Sequence, residues 1–181
     1  MNFIKTPIDG VIVIEPKVFD DPRGFFYESY RKELFVKNGI EDDFVQDNVS
    51  SSAKGVLRGL HYQAAPRAQA KLMRVLRGSV YDVALDIRPR SKTFGKFFPI
   101  LLSAGNRKML YVPKGFAHGF CVLEEGTEFM YKVSDYYSPE HERGVLWSDP
   151  ALAIPWPKLD RPFLLSEKDK KFPILKAGLQ T

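Results

Sequence analysis

Residues 71–88 read KLMRVLRGSVYDVALDIR, two apolar runs meeting at Arg77-Gly78. In the second run Tyr81, Val83, Leu85 and Ile87 share one face of an extended chain, and Asp82, Ala84 and Asp86 share the other, because strand side chains alternate with a period of two. The pattern predicts two strands joined as a hairpin through Arg77-Gly78. Similar runs continue downstream in FGKFFPILLS (94–103), KMLYVPKG (108–115), AHGFCVLEEG (117–126) and TEFMYKVSDYY (127–137). Upstream lie GVIVIEPKVF (10–19), FFYESY (25–30), FVQDNVSSS (44–52) and GVLRGLHYQ (55–63). Many short strands separated by turn signals predict an all-β fold, a jelly-roll or related barrel. Helix is confined to RKELFVKNG (31–39), closed by Gly39, and to a short piece in SEKDKK (166–171). The stretch VLWSDPALAIPWP (145–157) is too rich in proline for a central strand.

The chain has 181 residues with no repeat and no linker-like segment, so residues 1–181 are read as a single domain. Its net charge of +5 leaves nucleic acid, an anionic membrane surface or a small phosphorylated ligand open. The cations are spread along the chain, and acids interrupt the densest cluster, KLDRPFLLSEKDKK (158–171). That argues against nucleic acid and for a small phosphate-bearing ligand, which needs only a few convergent cations. Cys121 is the single cysteine, which rules out an intrachain disulfide; in GFCVL it reads as a small buried hydrophobe. MNFIKTPIDG lacks the apolar core of a signal peptide. No apolar run approaches the roughly 20 residues of a membrane span. A cytoplasmic protein is expected.

Several residues invite a chemical reading. His61 stands in a strand, on the face of Leu57, Gly59 and Gln63, where Gly59 leaves an opening for close approach. It is either a half-buried imidazole bonded to backbone or a group lining a cavity. Lys71 shares a strand face with Met73 and Val75, a costly place for an ammonium unless it is paired or useful. Alternatively it lies just before the strand begins. His118 sits between Gly115 and Gly119 in VPKGFAHGF. Tyr131 shares a face with Phe129 and Val133, as a core tyrosine or a proton donor. Asp169 follows Ser166 by three residues, which fits a helix capping box or a carboxylate that orients a histidine. Arg23 in DPRGFF and Arg58 are cations near aromatics, suited to phosphates and a flat ring. With three separated histidines, no H-x-H pair and one cysteine, a bound transition metal is not expected.

In order along the chain, DPRGFFYESY, FVQDNVSSS, GVLRGLHYQ, GSVYDVALDIR, TFGKF, VPKGFAHGFCVL, YKVSDYYSPEHERGVLWSDP, IPWP and LSEKD closely resemble the dTDP-4-dehydrorhamnose 3,5-epimerases, from about residue 3 to about residue 173. The resemblance implies a cupin-like jelly-roll with a few short peripheral helices, a homodimer, and catalysis without a metal or other cofactor. It implies His61 as catalytic base, Tyr131 as acid, Asp169 as the carboxylate that orients the histidine, and Lys71 at the site. It also implies ligand contacts from Arg23, Phe26, Glu28, Gln46, Asp47, Asn48, Arg58, His118, Glu142 and Lys168, with Tyr137 stacking on the base. One departure is visible: Ala70 stands where the family commonly has glycine before the lysine. Were that backbone at positive φ, Ala70 would be strained and would shift Lys71.

The implied substrate is a dTDP-linked 4-keto sugar, whose hydrogens on C3 and C5 are acidified by the C4 ketone. Histidine suits their removal near neutral pH, a cation suits the enolate oxygen, and inversion needs a donor on the opposite face. The reaction is redox-neutral, and no G-x-G-x-x-G follows a strand. Rival readings are an epimerase of one carbon only, a metal-dependent cupin enzyme, and a noncatalytic nucleotide-sugar binder. Strict alternation puts Arg58 and His61 on opposite faces, so their sharing a ligand requires a bulge near Gly59 or a partner subunit.

Overall fold

The computed structural model describes residues 1–176. Six strands form one sheet, in the order β1 (Asn2–Lys5), β2 (Ile12–Glu15), β10 (Met109–Val112), β7 (Lys71–Arg77), β12 (Thr127–Val133) and β5 (Gln46–Ser52). Five form a second, in the order β13 (Glu142–Gly144), β6 (Leu57–Gln63), β11 (Phe116–Val122), β8 (Ser79–Asp86) and β9 (Phe97–Ser103). Neighbours in both sheets run antiparallel, and β3 (Val18–Asp21) pairs with β4 (Gly24–Tyr27) in a separate two-stranded sheet. This is a cupin-like jelly-roll of two packed sheets.

The alternation read on β8 holds. Ala84 points between the sheets, with Met73, Val75, Leu110, Phe120 and Phe129. Val83, Leu85 and Ile87 point outward, under Leu152, Ile154 and Trp156 of the proline-rich segment. The outer face of the larger sheet is covered by the short helix α1 (Lys32–Lys37), whose Phe35 is fully buried, and by Ile40. The helix ends at Asn38, followed by Gly39 at φ 84°, a left-handed conformation that glycine adopts without steric cost.

The hairpin expected at Arg77-Gly78 does not form. Strand β7 runs through Arg77 and β8 begins at Ser79, leaving one residue between them. A hairpin loop needs about two, so the chain instead crosses from one sheet to the other. Gly78, at φ 77°, turns against Thr127, and a Cβ on it would stand 2.3 Å from the Thr127 hydroxyl oxygen. Alternation reports which face is apolar, not which strand is the neighbour. Over SPEHERG (138–144) a 3-10 turn at Pro139–His141 leads into β13, which adds an edge beside β6.

Candidate active site

Beyond the aromatic contact of Phe120 on Phe129, 4.3 Å between centroids, the space between the sheets opens into a cavity of about 400 Å³. Arg58 and His61 both line it. Their shared face comes from a bulge: His61 pairs with His118 and Arg58 with Phe120, so Gly59 and Leu60 oppose Gly119 alone. Two glycines make the bulge possible, since a Cβ on Gly59 would stand 2.5 Å from Gly119 Cα. The opening foreseen beside Gly59 is therefore filled by the neighbouring strand. Leu57 and Gly59 do not share the face of His61 as strict alternation predicts; Gln63 does line the cavity with it.

The two sheets contribute different chemistry. From the smaller sheet comes His61, whose Nε2 lies 2.5 Å from Asp169 Oδ1. Asp169 is carried on a 3-10 turn at Asp169–Lys171, where its N–H donates to Ser166 Oγ at 3.1 Å. The capping box is thus half made, because the carboxylate goes to the imidazole. Burial pushes the Asp169 carboxyl up, but its bonds to His61 and Ser166 outweigh this and hold it below the usual value. From the larger sheet comes Tyr131. Burial raises its phenol, with Arg58 opposing, so it stays protonated at neutral pH. Lys71, also from the larger sheet, donates to the backbone oxygen of His61 at 3.3 Å. Desolvation pushes its ammonium down to about 8, with Asp82 and Glu142 pulling the other way.

A second His–Asp pair lies deeper. His118 Nε2 meets Asp82 Oδ2 at 2.8 Å, and Asp82 is fully buried. Burial lowers the His118 imidazole against the pull of Asp82. Asp82 was visible in the alternation of β8, but its partner is on another strand, so no local signal marked it. At the mouth, Glu142 accepts from Tyr137 at 2.9 Å and from Lys168 at 2.7 Å. Burial raises the Glu142 carboxyl, and these two bonds bring it below its usual range.

Other expected residues divide by strand face. Gln46 and Asn48 line the cavity, while Asp47 between them points out and binds Lys132 at 2.8 Å. Arg23, Phe26 and Glu28 do not line this cavity. Arg23 pairs with Asp21 at 2.6 Å, Glu28 with Arg31 at 3.4 Å, and Phe26 is 68% exposed on the β3–β4 hairpin. Ser50, Gln69 and Phe120 line the cavity without having been singled out. Ala70 is not at positive φ and packs in the outer core with Leu72, so the strain considered for it does not arise. Cys121 is buried, and burial pushes its thiol up to about 11. Among the described residues no group of three or more His, Cys, Asp or Glu stands placed to hold a metal ion. The arrangement can take a proton on one side of a ligand, give one on the other, and stabilise negative charge between.

Comparison with known proteins agrees with this chemistry. A family model described as dTDP-4-dehydrorhamnose 3,5-epimerase matches residues 5–177. The chain is 55% identical over 170 residues to the dTDP-4-dehydrorhamnose 3,5-epimerase of Shigella flexneri, covering 93% of each protein. It superposes on the Legionella pneumophila epimerase solved with dTDP-4-keto-L-rhamnose at a TM-score of 0.92, with 51% identity, over 96% of this chain and 92% of that one. It superposes on ChmJ, a 3'-monoepimerase from Streptomyces bikiniensis solved with dTDP-quinovose, at 0.88, with 35% identity, over 94% and 86%. By its motifs, its two-sheet architecture and these matches, the chain belongs to the dTDP-4-dehydrorhamnose 3,5-epimerase family.

Proposed function

We propose that this protein inverts C3 and C5 of dTDP-4-dehydro-6-deoxy-D-glucose to give dTDP-4-dehydro-L-rhamnose, in dTDP-L-rhamnose biosynthesis. The observation that carries this reading is the entry of His61 and Tyr131 into one cavity from opposite sheets. Neutral His61 removes the proton α to the ketone, and Asp169 holds the imidazole and stabilises its charged form. Negative charge then moves to the C4 oxygen. Lys71 is the positive group for that oxyanion; losing such a donor typically costs about 3 kcal/mol of barrier. Asp82 orients His118 and supplies a negative charge that favours the protonated form of Lys71. Tyr131 returns a proton on the face opposite His61, which inverts the carbon. The same pair serves both carbons in turn.

In this reading Arg58 and Lys168 neutralise the diphosphate and Tyr137 stacks on the thymine. We take the protein to act as a homodimer. Arg23, Phe26 and Glu28 stand outside their own cavity, and Phe19, Phe25 and Phe26 are 53, 59 and 68% exposed. A second copy covering those rings would receive the hairpin at its own cavity. Mixing His61→Ala with Phe26→Ala protein should then regain activity through mixed dimers, and no recovery would count against the shared site. The lone buried cysteine suits the reducing cytoplasm, and among the described residues no helix is long and apolar enough to cross a membrane.

Incubation of the protein with the 4-keto sugar nucleotide in heavy water tests the reading. Deuterium at both C3 and C5, with the L-rhamno product by NMR, is the expected result. Inversion at C3 only would instead assign the chain to 3'-monoepimerase chemistry like that of ChmJ.

A further inference from the structure

The carboxylate behind His61 is carried by a strap with little regular structure. At one end Leu164 is pinned to the sheet: its N–H donates to Gly55 at 2.9 Å, and its carbonyl accepts from Leu57 at 3.0 Å. At the other end Pro173 accepts from Leu146 at 2.8 Å, and Leu175 donates to Asp149 Oδ2 at 2.7 Å. Asp169 lies between these pins, and its own N–H bonds only within the strap, to Ser166. Lys168 beside it pairs with Glu142 on β13 at 2.7 Å, but through a long, half-exposed side chain, so a stiffer contact must set the distance of Asp169 from the imidazole.

That role falls to Phe172. Gly144 on β13 is the cross-strand neighbour of His61. A Cβ on Gly144 would stand 2.5–2.6 Å from three carbons of the Phe172 ring. The backbone of Gly144 is not in the left-handed region, so what stands nearest in the way of a side chain there is the ring. The ring fills this gap and meets the His61 imidazole edge to face, 5.5 Å between centroids at 71°. One aromatic residue therefore bridges the strand that carries the base and the strap that carries its carboxylate.

We propose that Phe172, seated on Gly144, is a positioning residue of the proton-transfer site: it holds the plane of the His61 imidazole and the reach of Asp169 together. The inference rests on the reading of His61 as the base. The test measures kcat, KM and deuterium uptake for Phe172→Ala, Phe172→Leu and Gly144→Ala, alone and with Asp169→Asn. Misplacement of a reacting group is expensive, so Phe172→Ala should lower kcat about tenfold or more while KM moves less than about threefold. Phe172→Leu should keep most of the activity. Gly144→Ala should lose activity by displacing the ring, and Gly144→Ala with Phe172→Leu should regain part of it. In the Asp169→Asn background, Phe172→Ala should cost less than about twofold further, because no pair remains to be held. Activity of Phe172→Ala within about twofold of the parent, or an equal loss in both backgrounds, would overturn the proposal. Absence of deuterium uptake in the parent protein would instead remove the epimerase reading itself.

Discussion

Asp82 and Asp86 stand four residues apart on one face of β8, both fully buried, and their surroundings are opposite. Asp86 accepts from the backbone and guanidinium of Arg88, and from the hydroxyls of Ser91 and Thr93 at 2.6 Å each. Burial pushes its carboxyl up, yet these bonds hold it down at about 2. Among the described residues Asp82 has His118 alone, and its second oxygen has no partner. A buried charge is tolerated where every lone pair is met. Asp86 satisfies that rule and closes a turn. Asp82 departs from it beside the cavity, where its field acts on Lys71 and His118. In the proposed mechanism the same residue type at the same burial serves the fold at one end of the strand and the chemistry at the other.

The largest effect should come at the cavity end. His61→Ala should lower turnover by about 10³-fold or more, while dTDP still binds and thermal unfolding is unchanged; retained turnover would remove the base. Next, Asp86→Ala leaves Arg88 and two hydroxyls without their acceptor. It should cost about 3–5 kcal/mol in chemical denaturation, with the folded fraction as active as the parent. Asp82→Asn should show the reverse, losing about 10- to 100-fold in kcat with little change in the denaturation midpoint. If the two aspartates gave the same outcome, the division between them would fail.

The smallest effect is a shift with pH. Desolvation holds the Lys71 ammonium at about 8 in the free protein, so kcat/KM should fall as pH rises through that value and the oxyanion loses its cation. Asp82→Asn removes a charge that favours the ammonium, so this alkaline limb should move to lower pH. Variants of Asp86 should leave it in place. A pH–rate profile of each variant checks the sign.

The two ends of β8 also mark what the sequence makes legible. Both aspartates appear in the alternation, as does the outward row of Val83, Leu85 and Ile87. The local pattern does not distinguish the two carboxylates, because the difference is made by His118 on another strand and by Ser91 and Thr93 in a loop. The crossing at Gly78 was likewise hidden, since a period of two names a face and not a partner. Arg58 and His61 share a face only because Gly59 meets Gly119, a contact some 60 residues apart in the chain. Most cavity residues were reached through motif resemblance. The pairing of Gly144 with Phe172, and the exclusion of Arg23, Phe26 and Glu28 from their own cavity, needed coordinates.

In the proposed mechanism protons leave and return on opposite faces of one sugar. The C5 configuration and deuterium content of sugar recovered from Tyr131→Phe protein in heavy water test this. With His61 intact and the opposing donor gone, deuterium should enter at C5 while the configuration there stays as in the substrate. Inverted sugar formed at the parent's rate would contradict a two-faced mechanism through this tyrosine.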